Sequence, residues 1–384
     1  MYPGMMLGLS LWTAVAYAQP AQEIAPADPV PAPAPVVRPA PPEPVHTMDE
    51  LTVPTSFLRF GINFFGDTSF SISDRDELSS QFAIGTLGVR LVGELGESLD
   101  ALAEVAFETT ADGPLADVEQ VALRWQQGAG LLEVGRFHTD LGFWNTAYHH
   151  GLWLQTPIAR PRALRFEDDG GLAPVHWVGA HYQLSFETAA GSLRGVVGIG
   201  NGRGDIVDDV RVNSDTNNAK AVLLKVALRT ALVEVGGGVI YDLIAPATVR
   251  PALPDESLIE LIGNAYVSLR TEGPIAIAEA YVFHHRGDNE AWTTLTAYGL
   301  AGYAITEWLT PYVAIDVIRG ADDDPYFTPD PTAPSPFDVV EILAGLRFET
   351  STWSALKIEA RMASQSSDAS DDEYAAAVNW SFGL

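Results

Sequence analysis

From Thr55 to Leu384 apolar and polar residues alternate with period two, segment after segment. In 354–362, Leu356, Ile358, Ala360 and Met362 share one parity, while Lys357, Glu359 and Arg361 hold the other. In 340–349, Val340, Ile342, Ala344, Leu346 and Phe348 alternate with Glu341, Arg347 and Glu349. In the last segment Tyr374, Ala376, Val378, Trp380, Phe382 and Leu384 fall together, opposite Glu373, Ala375, Asn379 and Ser381. Period two is the signature of a half-buried strand. About sixteen such segments occur, near 55–66, 80–94, 99–109, 117–127, 130–137, 176–187, 192–201, 219–230, 232–243, 258–271, 274–285, 292–305, 309–319, 338–350, 353–364 and 373–384. Most run to about ten residues or more. Soluble strands average about five or six residues, whereas a tilted strand crossing a bilayer needs about nine to eleven.

The connections narrow the choice further. Tight gaps at Gly96–Ser98, Gly128–Ala129, Ala231, Gly273 and Ser351–Thr352 alternate with long gaps at 67–79, 110–116, 138–175, 202–218, 244–257, 286–291, 320–337 and 365–372. Short turns at one end and long loops at the other are the mark of a transmembrane barrel, the long set extracellular. The expected fold is therefore all-β: a transmembrane antiparallel β-barrel of about sixteen strands. Register follows from energy. A one-residue slip in 353–364 would turn Lys357, Glu359 and Arg361 onto lipid, where a basic residue at the midplane costs about 2–4 kcal/mol. Trp125, Trp308, Tyr312, Trp353, Trp380 and Phe382 gather near the short turns and read as an interfacial aromatic belt.

Composition removes other classes. The chain is 47% hydrophobic, yet after the N-terminus no run is apolar for the roughly 18 residues a membrane helix needs. The mean hydropathy of +0.08 is what alternating strands average to. With 50 acids against 22 bases and a net charge of -28, nucleic acid is excluded as a partner, because phosphate binding needs clustered Lys and Arg. There is no cysteine, hence no disulfide or thiol chemistry. No GxSxG or P-loop pattern occurs, and Gly200-Asn201-Gly202-Arg203-Gly204 leads into an acidic stretch rather than a helix. No enzyme activity and no cofactor are expected.

Residues 1–18 read as a signal peptide, with an apolar run from Met5 to Val15 and Ala16-Tyr17-Ala18 as the cleavage site, although no base precedes Arg38. Residues 19–54 contain eleven prolines and read as an extended periplasmic linker, with the cell wall as a conceivable contact. The barrel occupies 55–384.

With these features the chain resembles bacterial outer-membrane porins, of the sixteen-stranded phosphate-selective or general-diffusion kind. The resemblance covers Thr55–Leu384. It rests on the strand number, eight long gaps with the longest third, Gly135-Arg136-Phe137 followed by Leu141-Gly142, and the C-terminal face of Tyr374, Trp380 and Phe382. The last residue is Leu384 rather than an aromatic. In that family the third loop folds into the lumen as the constriction and the C-terminal aromatics serve as the assembly signal. The resemblance accordingly implies that 138–175 enters the barrel, and it implies a homotrimer in the outer membrane of a Gram-negative cell.

On that reading Arg160, Arg162, Arg165, Glu167, Asp168 and Asp169 line the constriction and set a transverse field, or pin the loop by pairing. The lumen wall carries Arg59, Arg90, Arg124, Arg194, Lys225, Arg229, Arg270, Arg347, Lys357 and Arg361. His149-His150 and His284-His285 have no HxxxH or HExxH spacing, and adjacent residues on an extended chain point apart, so no metal is expected there, with or without Glu167 or Asp168. The acidic clusters Asp205/Asp208/Asp209, Asp322–Asp324 and Asp368/Asp371/Asp372 lack calcium-loop spacing and read as solvated. The leading expectation is passive diffusion of small hydrophilic solutes or ions. A non-conducting anchor barrel comes second and an outer-membrane hydrolase third. Ion preference stays open.

Overall fold

The computed structural model describes residues 58–74, 80–110, 113–149, 151–166, 170–207, 217–271, 273–329, 337–365 and 372–384. The expected leader 1–18 and linker 19–54 lie outside these residues, as do His150, Glu167, Asp168 and Asp169 and the side chain of Arg270.

Every alternating segment becomes a strand. In chain order they are β1 (Leu58–Ser73), β2 (Ser80–Leu95), β3 (Leu99–Thr110), β4 (Gly113–Gln127), β5 (Gly130–His138) and β6 (His176–Thr188). Next come β7 (Gly191–Gly200), β8 (Ala221–Arg229), β9 (Val233–Ile244), β10 (Leu258–Arg270) and β11 (Pro274–Arg286). The series ends with β12 (Ala291–Tyr303), β13 (Leu309–Arg319), β14 (Val339–Ser351), β15 (Ser354–Gln365) and β16 (Glu373–Gly383). Each pairs antiparallel with its sequence neighbours, and β16 returns to β1, closing a sixteen-stranded barrel. Thr68 stands opposite Trp380 across that seam. Closure leaves the sheet without a free edge strand. No helix of the described residues is long and apolar enough to cross a membrane.

The two faces are inverted relative to a soluble sandwich. On β8, Leu224 and Val226 are 51% and 58% exposed, while Lys225 between them is 2% exposed. On β15, Ile358 is exposed between buried Lys357 and Glu359. An outward apolar face and a charge-bearing buried face are what a lipid-embedded barrel requires. The predicted register holds in both strands. The buried face is not wholly polar. Leu223, Ile240, Ile262, Ile277, Tyr281 and Phe283 form an apolar cluster there with Leu141, Phe143, Trp144, Leu164 and Leu172 of the β5–β6 connection.

One strand end and one aromatic residue differ notably from the sequence expectation. β1 continues to Ser73 instead of stopping near residue 66, because Gly66-Asp67 sits at a bulge and not in a turn. The register slips between Gly66 and Thr68, and the carboxylate of Asp67 accepts the Thr86 N–H at 3.1 Å. Tyr312 does not join the aromatic belt. It is 3% exposed, and its hydroxyl donates to Glu359 at 2.9 Å. Period two places it with Asp316 and opposite the exposed Val313 and Ile315 of β13. Trp125, Trp308, Trp353 and Trp380 are exposed.

Candidate functional site

The connection between β5 and β6 is built from a short helix α1 (Trp144–Tyr148) and a single 3-10 turn (Arg162–Leu164). Its backbone N–H groups are taken up by carboxylates of distant strands. Glu279 of β11 accepts from Phe143 and Trp144 at 2.9 and 3.0 Å. Glu359 of β15 accepts from Ile158 and Ala159 at 2.8 and 3.1 Å. Asp316 of β13 accepts from Arg162 at 2.6 Å. In return, carbonyls of the segment meet bases: Arg347 donates to Gln155 at 2.6 Å, and Lys357 donates to Leu152 and Pro157. A segment of irregular backbone thereby has its polar groups met by charge-assisted bonds. Gly142 is needed for this. Its φ is +78°, and a Cβ there would run into Glu279 and Tyr281.

Three arginines of the segment fall among the described residues. Arg162 binds Glu341 of β14 at 2.7 Å, and Arg165 lies 3.8 Å from the same carboxylate. Arg160 sits over the ring of Phe166 with its guanidinium carbon 4.3 Å from the centroid. Arg162 and Arg165 are thus brought together on one strand carboxylate.

Eight of the wall bases stand against carboxylates. Arg59 faces Glu94, Arg90 Glu104, Arg124 Asp100, Arg229 Glu234, Arg347 Glu349 and Arg361 Glu373, all within 3.8 Å. Arg194 and Lys225 share Asp140, at 3.2 and 2.7 Å. Burial pushes the Asp140 carboxyl up, but Lys225 and Arg194 outweigh it and hold it well below the usual carboxylate range. Arg59 and Arg229 are the exposed members, with 70% and 42% of their side chains accessible.

One cluster escaped the sequence reading. Glu119, His138, His149 and His176 bring ligand atoms within 4.8 Å of one another. The histidine pairs singled out by adjacency are the wrong partners. His149 turns toward residues 11 and 27 positions away, and His284 is half-buried and bonded to Thr293. Only contact between β4, β5, β6 and the end of α1 assembles the group. His285 is engaged elsewhere, between Asp324 at 2.7 Å and Glu260 at 3.0 Å. At the C-terminus, Tyr374 and Trp380 are exposed on the outer face. Phe382 packs on Trp380 at 5.4 Å.

The closed sixteen-stranded barrel with a polar-lined buried face defines a porin-like fold. Among solved structures, the chain is similar to an anion-selective porin from Comamonas acidovorans, at TM-score 0.61 and 12% identity, covering 85% of this chain and 100% of that one. OmpF of Salmonella typhi in complex with daunomycin gives 0.60 and 11%, covering 87% and 100%. The outer membrane channel DcaP of Acinetobacter baumannii gives 0.59 and 11%, covering 86% and 99%. No protein-family model and no curated protein sequence matches the chain.

Proposed function

We propose that this chain is an outer-membrane porin through which small hydrophilic solutes and ions diffuse passively, with the β5–β6 segment folded into the barrel as its constriction. The carrying observation is where that segment is bonded. In a ring of sixteen strands, β13 and β14 stand half-way round from β5 and β6. Phe143, Trp144, Ile158, Ala159 and Arg162 give their N–H groups to carboxylates on β11, β15 and β13. A segment that spans from one wall to the opposite one has to cross the space between them. Trimer formation, as the family resemblance implies, and placement in the outer membrane belong to the same proposal.

The charge pattern supports a modest preference for cations. Eight wall bases lie against carboxylates, so the field they would impose on an anion is muted. The chain as a whole carries -28, which draws cations to the mouths.

Planar-bilayer recording in a salt gradient tests this. Discrete conductance steps with a reversal potential of cationic sign are expected. A folded barrel that passes no current would sink the channel reading and leave the anchor reading in its place.

A further inference from the structure

We infer that Glu119, His149 and His176, with His138 beside them, form a binding site for a late first-row divalent metal ion of the Zn2+ type. The inference does not rest on the chain's conducting. The donor atoms lie as an ion would hold them. His149 Nε2 and His176 Nε2 are 3.1 Å apart. Glu119 Oε2 is 2.5 Å from His176 Nε2 and 3.7 Å from His149 Nε2. Around a four-coordinate ion with bonds of about 2.0–2.1 Å, neighbouring donor atoms are about 3.3 Å apart. The 3.1 and 3.7 Å edges lie close to that spacing, and the 2.5 Å edge is the hydrogen bond between His176 and Glu119 that an ion would replace. The two imidazoles meet at 76° with their Nε2 atoms toward each other, so both lone pairs can address one point.

A neighbouring amide sets the tautomer of His149. Asn145 donates through Nδ2 to the carbonyls of Thr139 and Val175, at 2.8 and 3.2 Å. That fixes which way its amide points and leaves Oδ1 to accept from His149 Nδ1 at 2.6 Å. With Nδ1 carrying the proton, Nε2 of His149 is the lone-pair nitrogen. This is the outer-shell arrangement that orients a ligating histidine. Gln120 holds His138 through Nδ1 at 2.9 Å. That bond takes up the Nδ1 lone pair of His138, because the Gln120 amide nitrogen can only donate, and the ring stands stacked on His149 at 3.6 Å and 15°. His138 completes the site by turning, or leaves the fourth position to water.

Backbone irregularity builds the site. The pairing of β3 with β4 jumps from Glu104–Gln120 to Val105–Val118, leaving Glu119 as the extra residue of a bulge. Glu119 and Gln120 are therefore both buried, 3% and 7% exposed, where regular alternation would send one of them outward. Bulges recur next to sites because they re-aim a side chain in this way. His138 and His176 are register partners at the ends of β5 and β6, and His149 caps α1. A bound ion would tie the root of the β5–β6 segment to β4. Imidazole donors select Zn2+ and its neighbours over Ca2+ or Mg2+.

The test is calorimetric titration of ZnCl2 into the full chain, folded in detergent and stripped with a chelator, followed by the visible spectrum with Co2+ in place of Zn2+. Expected are one ion per chain, proton release on binding, no competition by Ca2+, and a Co2+ spectrum of four-coordinate intensity. His149→Gln and His176→Gln should each weaken binding at least about 100-fold, and His138→Ala less. Asn145→Ala, which keeps every ligand, should cost about 10–100-fold, and His284→Gln should change nothing. Heat-modifiable migration verifies that each variant is folded. Should the histidine variants not fold, the wild-type Co2+ spectrum and Asn145→Ala decide. Absence of saturable Zn2+ binding, or binding unaltered in folded His149→Gln, would overturn the assignment. So would an octahedral Co2+ spectrum together with unaltered affinity in Asn145→Ala.

Discussion

Asp140 carries two cations at once. It accepts from Lys225 at 2.7 Å and Arg194 at 3.2 Å, and Lys225 also donates to the carbonyl of Gly142 at 2.8 Å. Lys225 is 2% exposed, so Asp140→Asn would strand a buried ammonium without its counter-ion. Removing one partner of a buried pair costs about 3–5 kcal/mol. A loss of that size is expected in denaturant unfolding of the detergent-folded barrel at neutral pH. The pH dependence follows from the lowered pKa of Asp140. A carboxyl held lower in the folded than in the unfolded chain stabilises fully above the unfolded value, about 3.9. The contribution is lost as pH falls through the lower folded value. The wild-type minus Asp140→Asn difference should accordingly be flat from neutral pH to about 5 and shrink only under stronger acid. A difference already gone by pH 5 would contradict the pairing. On the opposite face the sign of a charge is reversed. Leu224 is 51% exposed near the centre of β8, and Leu224→Arg should cost about 2–4 kcal/mol in lipid. Equilibrium unfolding in vesicles measures it, and a neutral result would contradict the membrane-facing assignment.

Strands and loops differ in how far the sequence discloses them. Strands were legible because one physical demand, an apolar outer face, repeats at every second residue from β2 to β16 and leaves charges such as Lys357 and Glu359 only one place to go. The end of β1 was not, since Gly66-Asp67 carries turn chemistry that a bulge satisfies inside the sheet. For the β5–β6 segment, its length and its arginines were readable, and Arg162 and Arg165 meet at Glu341. Its anchors were not readable. Nothing local distinguishes Glu279 and Glu359 from other wall acids until the segment's N–H groups arrive there. The bulge at Glu119 is equally silent, because it shifts phase by one residue inside a strand that otherwise alternates. The element-scale prediction concerns those anchors. Hydrogen bonds to charged groups contribute about 1.5–3 kcal/mol each. Glu279 accepts from two segment N–H groups and Glu359 from two more. A glutamine has one acceptor oxygen and would set its own donors against those N–H groups. The double variant Glu279→Gln, Glu359→Gln should keep its heat-modifiable barrel yet show larger or noisier single-channel conductance. Unchanged steps would argue against the segment as the constriction.

Across the whole molecule, the charges fall into two populations that salt separates. Wall bases and acids stand within 3.8 Å of each other and form local dipoles whose fields die off quickly. The excess of acid, 50 against 22 bases, acts at longer range. The Debye length is about 10 Å at 0.1 M and about 3 Å at 1 M. Cation preference that originates in the general excess should therefore be strong in dilute salt and fall toward none near 1 M. Preference that originates in a charged constriction would persist, because buried pairs are screened much less. Reversal potentials taken at a fixed concentration ratio, with the mean salt raised from about 0.1 M to about 1 M, distinguish the two. On the proposed reading, with Arg162 and Arg165 lying against Glu341, the expected course is a decline toward zero. A reversal potential that stays constant across that range would place the selecting charges in the narrow part. Arg160→Gln, acting on the segment arginine stacked over Phe166, would then be the substitution to shift it.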